Sequence, residues 1–298
     1  MTLGAAWIRR SLDGEELWIA SDSRLSDSER IWDSCPKLLT LPRRDAVVGF
    51  SGDTAEAYPL MLQLANAIAS YRVAADGTLE FFHMVGHLER VINSMMRTID
   101  PDPAISGTIV NYLPFATTSD TLILGGYSRA RGGMVLRSLR YQDSANGWRF
   151  QRVRPLSSLG TGRTISIFGD QRSRSRFRYL LKSLLQERGI LSSTQSFDFE
   201  PLEVLAAMLR MPQSSAQRLP LDHRPATIGG APQIMRILAG AQATPFAVAW
   251  KSRDQICIYL QGRQTFDYER LDVPMIMFED TQVQIHAPGH SGSRPAER

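Results

Sequence analysis

Cysteine is scarce in this chain. There are two, Cys35 and Cys257, far apart and in no metal-ligand spacing. That excludes a disulfide framework and a local thiolate metal site, and it suits reduced thiols in a cytoplasmic protein. Long apolar runs are also missing: no stretch approaches the about 18–20 residues of a membrane span. The opening "MTLGAAWIRRSLDGEELW" turns polar before a signal-peptide core could form. Charge of one sign is lacking too, with 34 Lys+Arg against 30 Asp+Glu and a net charge of +4. The pI near 9.3 reflects arginine richness more than a strong field, so nucleic acid is not an expected partner.

Several motifs are incomplete, and each gap removes a function class. "LGTGRT" is glycine-rich but lacks the full phosphate-loop pattern. His83 and His87 stand four apart on an expected helix, yet the glutamate of a zinc-protease motif and a third ligand are missing, so they read as a surface or partly buried pair. The cluster "QRSRSRFR" spans a helix start and reads as a solvated arginine face. Neither a metal nor a cofactor is expected. Cys35, two residues before Lys37, reads as buried packing rather than as a nucleophile.

What is present is a core. The 298 residues are 43% hydrophobic, ample for one large domain or two modest ones. The reading adopted is one domain over residues 2–280, with extra material around 73–118 and 140–165 and a break left open near 100–108. Residues 281–298, rich in Gly, Ser and Pro, read as a flexible tail.

Strands open the chain. "TLGAAWIRR" and "EELWIASD" flank "SLDG", where Asp-Gly is a hairpin signal, and "KLLTL" and "DAVVGF" flank "PRR" in the same way. The period then changes: Leu60, Leu64 and Ile68 recur at helical spacing, with Asp53 or Thr54 as N-cap and Pro59 in about the first turn or at a kink. A second helix is expected over "FFHMVGHLERVINSMMRTI", with Phe82, Val85, Leu88 and Ile92 on its apolar side. Then follow a strand meander ("TLILGGYS", "GMVLRSLRY", "WRFQRV"), the strand "RTISIFGD", and helices over "SRFRYLLKSLLQERG" and "PLEVLAAMLRM". A short helical piece over "APQIMRILA" and a closing hairpin of "FAVAWKS" with "QICIYLQG" complete the pass. Strands and helices are grouped rather than alternating, which argues for α+β with antiparallel sheets.

The two hairpins allow an inference about proximity. A turn around residues 12–14 returns Asp22 close to Thr2. A centre near 43–44 places Lys37 opposite Phe50, with Gly52 just beyond at the mouth of a helix. If the hairpins share an edge, Thr2, Asp22, Lys37 and Gly52 meet there. Such a cluster has a chemistry. A terminal Thr carries its own base, the α-amine, with an ordinary pKa of about 7.7–8.0. A neighbouring ammonium favours the neutral amine and the forming alkoxide, and a backbone N–H at a helix mouth can donate to an oxyanion. Taken singly, each residue has an ordinary alternative: Thr2 a plain strand residue, Lys37 an edge lysine, Asp22 a partner of Arg24, Gly49 and Gly52 a tight turn.

Thr2 directly after Met1, "WIASDSR" with Asp22, "CPKLLTL" with Lys37, and "VVGFSGDTAEAYPLMLQLANAI" together resemble proteasome β subunits and the bacterial proteasome-like peptidases of the N-terminal-nucleophile hydrolase superfamily. The resemblance is most specific over residues 2–70. It implies a four-layer αββα sandwich and a threonine-type amide hydrolase. Met1 would be removed, Thr2 would be the nucleophile, Asp22 and Lys37 would flank it, and Gly52 would donate to the oxyanion. Gly49, Ser51 and Asp53 would lie near the substrate. It also implies peptide or unfolded protein as substrate, a homo-oligomer with a ring as one form, and a separate ATPase as a partner. Downstream, "ISIFGDQRSRSRFRYLL" is similar to the family's glycine loop and third helix, but Asp170 stands where a Ser often supports the amine: its carboxylate would either take over that support or raise the amine's pKa and slow the chemistry. The family's late Asp and Ser have no clear counterpart near "TIGGAPQ". An inactive proteasome-fold protein serving assembly or ligand binding is the alternative.

Overall fold

The computed structural model describes residues 2–26, 30–98, 121–142, 147–211, 228–240, 242–252, 255–279 and 282–288. Its first hairpin joins β1 (Leu3–Ser11) to β2 (Gly14–Ser21) through a two-residue turn, with Ser11 paired to Gly14 and Gly4 to Ser21. A small ribbon of β3 (Leu25–Ser26) and β4 (Ile31–Trp32) follows. The second hairpin is β5 (Leu38–Thr40) with β6 (Ala46–Ser51), and its Leu38–Gly49 register sets Lys37 opposite Phe50.

Helix α1 (Thr54–Ala69) begins where the Asp53 carboxylate accepts the Ala55 N–H, and it buries Leu60, Met61, Leu64 and Ile68 at i, i+1, i+4 and i+8. Pro59 lies inside it, removing one helical donor without ending the helix. After the short α2 (Arg72–Ala75) comes α3 (Phe81–Met96). Its buried stripe is Phe81, Met84, Val85, Leu88 and Ile92. The expected Phe82 is exposed instead, because Phe81 fits the i, i+3, i+4, i+7 spacing and its neighbour points about 100° away. The meander follows as β7 (Thr121–Ser128), β8 (Gly133–Gln142) and β9 (Gly147–Arg152). The break expected near 100–108 lies outside the described residues.

A 3-10 turn at Ser157–Leu159 leads to β10 (Ile165–Gly169), α4 (Gln171–Glu187) and α5 (Glu200–Arg210). The segment "APQIMRILA" departs from its expected helix: it contains β11 (Gln233–Leu238), paired along β2. Met, Leu and Ala are good helix formers, but propensity amounts to only tenths of a kcal/mol per residue, and a full ladder beside a buried strand outweighs it. Then come β12 (Thr244–Pro245), β13 (Ala247–Ser252), β14 (Gln255–Leu260), β15 (Arg263–Gln264), β16 (Met275–Glu279) and β17 (Gln282–His286). The start of the expected flexible tail is thus a strand, whose Val283 and Ile285 alternate with polar residues.

The chain is α+β, with five α-helices among the described residues. Sheet I runs β10-β1-β2-β11-β12, sheet II β5-β6-β7-β8-β9 and sheet III β15-β14-β13-β16-β17. Sheets I and II are antiparallel; in sheet III the β13–β16 pair is parallel. Period-2 alternation divides the core. Ala6, Ile8, Leu17 and Ile19 of sheet I pack with Val47, Ile123 and Leu136 of sheet II. Leu3, Ala5, Trp7 and Trp18 face α4, α5 and sheet III, through Phe177, Leu181, Leu205 and Val248. Sheet II turns Val48, Phe50 and Leu124 toward α1 and α3. Strands of β1 and β2 buried on both faces explain their nearly continuous apolar sequence.

Candidate active site

Asp22 is the residue just past β2 and Lys37 the residue just before β5, so one belongs to sheet I and the other to sheet II. They meet in an ion pair of 2.8 Å with both side chains fully buried. Asp22 Oδ1 also accepts the Leu3 N–H at 3.0 Å, and its Oδ2 accepts the N–H groups of Arg24 at 3.3 Å and Gly229 at 3.2 Å. Three backbone donors and one ammonium therefore hold this carboxylate, which is the condition for burying a charge at tolerable cost. Burial pushes the Lys37 ammonium below its ordinary value, and Asp22 opposes that shift.

Thr2 is buried at 2% exposure. Its carbonyl accepts the Asp170 N–H at 2.9 Å, and Leu3 pairs with Gly169 across β1 and β10. Gly169 has φ +118, and a Cβ there would overlap the Thr2 carbonyl oxygen. Only glycine lets the end of β10 approach Thr2 this closely. The Asp170 carboxylate is engaged elsewhere: it is the N-cap of α4 and accepts from Arg172 N and Ser173 N.

Gly49, Ser51, Gly52 and Asp53 lie on β6 and its exit, tied to the pair by the Phe50 N–H donating to the Lys37 carbonyl at 3.1 Å. Gly49 lies on the inner face, where a Cβ would press on Leu38 and Ile19, so its bareness lets the two sheets close. Gly52 has φ +122 and turns the chain from β6 into α1. Asp53 is the exposed N-cap of α1, and Ser51 is buried at the β6 end opposite Thr121. The structure thus joins Thr2, Asp22, Lys37 and Asp170 through direct hydrogen bonds or an adjacent residue, and it sets the Gly49–Asp53 stretch one strand away.

Sequence reasoning missed the residues that fasten this corner. Gln233, fully buried on β11, accepts the Lys37 N–H at 2.8 Å through Oε1, and its Nε2 donates to Cys35 O at 2.5 Å and Asp22 O at 3.4 Å. Reading its segment as a helix hid it. Gly229 sits in the "TIGGAPQ" stretch that sequence comparison left without a role. Ser23 hydrogen-bonds Asp33 O and Ala231 O, each at 2.8 Å, and Arg24 clamps Asp33 at 2.6 and 2.8 Å. Cys35 is buried, and burial pushes its thiol up against the opposing charge of Lys37, which leaves it a poor thiolate. Tyr58, its neighbour, is likewise pushed up by burial and by Cys35.

No family model matches the chain, and no curated protein matches it. Among the described residues no helix is long and apolar enough to cross a membrane.

Proposed function

We propose that the chain is a threonine-type amide hydrolase of the N-terminal-nucleophile kind, with Thr2 as nucleophile once Met1 is removed. The observation that carries this reading is the fully buried Asp22–Lys37 pair, whose carboxylate also holds the N–H of the residue next to Thr2. A buried ion pair is a weak source of stability and is often matched by an apolar pair of similar volume. Its placement beside a buried threonine therefore points to chemistry. The packing of α1 and α3 on sheet II, and of α4 and α5 on sheet I, supports the finer reading of an αββα sandwich, to which sheet III is an addition.

In this mechanism the freed α-amine takes the Thr2 hydroxyl proton as Oγ1 attacks the amide carbon. Lys37 stabilises the developing negative charge, and a lysine already pushed down by burial also favours proton exchange with the terminus. The Gly52 N–H donates to the tetrahedral oxyanion. The carbon–nitrogen bond then breaks, the amine's proton passes to the leaving nitrogen, and water hydrolyses the ester left on Thr2. Substrates are peptides or unfolded protein, the assembly is a homo-oligomer with a ring as one form, and a separate ATPase feeds it. The test is turnover of fluorogenic peptide amides. Thr2→Ala abolishes it with unchanged melting, while Thr2→Ser retains part of it. Equal turnover in the wild type and Thr2→Ala contradicts the reading.

A second reading, a proteasome-fold protein without hydrolase activity that serves assembly or ligand binding, is favoured by one observation. The Asp170 carboxylate caps α4, so the support expected for the amine is occupied elsewhere.

A further inference from the structure

The net charge of +4 conceals a segregation along the chain. Residues 129–188 hold 14 Lys+Arg against 3 Asp+Glu, whereas the remaining residues hold 20 against 27. The fold gathers much of this excess on β8, β9 and α4. In the β8–β9 register Arg137 stands opposite Arg152 and Arg140 opposite Arg149, pairings that like charges disfavour. Of these four, Arg149 alone reaches a carboxylate among the described residues, Glu89 at 3.6 Å. Along α4, Arg172 and Arg176, Arg174 and Arg178, and Arg178 and Lys182 stand four apart, where like charges again repel.

Arg140 and Arg174 bring the two surfaces together. Burial, then the like charges of Arg178 and Arg140, push the half-buried Arg174 guanidinium down, and Asp170 alone opposes them. That carboxylate already serves as the N-cap of α4. Arg140 and Arg178 are exposed, and none of the three has an ion-pair partner among the described residues. The Arg174 N–H donates to the Asp170 carbonyl and the Asp170 N–H to the Thr2 carbonyl, both at 2.9 Å. The unanswered charge therefore begins one helical turn from the residue that bonds Thr2.

We propose that Arg140, Arg174 and Arg178 bind an acidic segment of polypeptide at the rim of the Thr2 corner, with Arg172, Arg176 and Lys182 extending the surface along α4. Carboxylates of the segment accept from the guanidinium N–H groups, whose planar forks can hold each one through two bonds. Two other polyanions fit less well. A nucleic-acid strand calls for several exposed rings to stack its bases, and an anionic membrane for an apolar face to enter it. The described part of residues 129–188 exposes one large apolar side chain, Tyr179. That the segment belongs to a substrate rests on the hydrolase reading; that it binds does not.

Fluorescence anisotropy of the full chain with a labelled glutamate-rich peptide tests it, against a counterpart with glutamine at every glutamate. A Kd on the order of 10–100 µM is expected at low salt, with at least about tenfold weaker binding of the glutamine peptide. Arg178→Glu answers both Arg174 and Lys182, so it should melt at an unchanged or higher temperature while binding about tenfold more weakly. Arg270→Glu, at an exposed position outside the surface, should change binding by less than about twofold. Absence of binding by the glutamate peptide, or equal binding of the two peptides, overturns the proposal. So does a labelled single-stranded oligonucleotide of the same length that binds more tightly than the glutamate peptide, or undiminished binding by Arg178→Glu. Among amide substrates, an acidic flank should lower KM with kcat little changed, and Arg178→Glu should erase that difference. A chain that binds the glutamate peptide yet turns over no amide contradicts the hydrolase reading alone.

Discussion

The corner that joins sheets I and II and the groove on α3 treat buried polar atoms in opposite ways. At the corner, Asp22 accepts from Leu3, Arg24, Lys37 and Gly229, and Gln233 binds Lys37, Cys35 and Asp22. The groove, lined by Tyr71, Phe82, Gly86 and His87, instead leaves the buried His87 Nε2 without a partner among the described residues and keeps Gly86 bare over open space. Removing one member of a closed network strands the others and reads out as stability, whatever chemistry the corner also performs. A buried nitrogen that bonds nothing adds no such support, and an apolar group of the same shape in its place costs the fold little.

Breaking the corner has the largest expected effect. Asp22→Ala leaves Lys37 buried without its countercharge and should cost about 3–5 kcal/mol, measured by urea unfolding. A paired Asp22→Leu, Lys37→Met variant should recover much of that loss, because two apolar groups replace two charges. Gly169→Ala comes next, at about 2–4 kcal/mol, from an unfavourable φ and the overlap with the Thr2 carbonyl. Gln233→Ala removes the acceptor of the Lys37 N–H and the donor to Cys35 O and Asp22 O and should cost about 1–3 kcal/mol. In the groove the sign reverses: Gly86→Ala should stabilise by roughly 0.5–1 kcal/mol. Destabilisation there would show that the bare position serves the fold after all.

The finest probe is titration of Lys37. Burial places its folded-state pKa below the ordinary 10.5. Between that lowered value and 10.5 the unfolded chain binds more protons, so stability rises with pH across the window and is level below it. The chain has only three lysines, Lys37, Lys182 and Lys251, so their side-chain carbon resonances can be followed separately. Asp22→Asn removes the charge that opposes the shift and should move the Lys37 midpoint further down. An unchanged or higher midpoint would mean that Asp22 does not sense the ammonium.

Much of the corner was legible because tight hairpins convert sequence spacing into pairing. A turn at Leu12–Asp13 places Asp22 beyond the Gly4–Ser21 pair, and the β5–β6 register places Lys37 opposite Phe50. Gln233 was illegible, since its contacts reach back 196 to 211 residues and its segment carries helix-forming residues on a strand that only β2 calls for. The roles of Gly49 and Gly169 were half legible. Glycines mark close approach, but what approaches (Ile19 in one case, the Thr2 carbonyl in the other) is a tertiary fact. The tail strand β17 did show its alternation, masked by the Gly, Ser and Pro that follow it.

The central claim is that Thr2, freed of Met1, is a nucleophile with its own amine as base. Intact mass of the purified protein, with and without a peptide epoxyketone, tests it most directly, because that reagent closes a ring on both the hydroxyl and the free amine of a terminal threonine. The claim predicts a chain lacking Met1 that gains one adduct, with no adduct in Thr2→Ala. A chain that retains Met1 and takes up no reagent would contradict it.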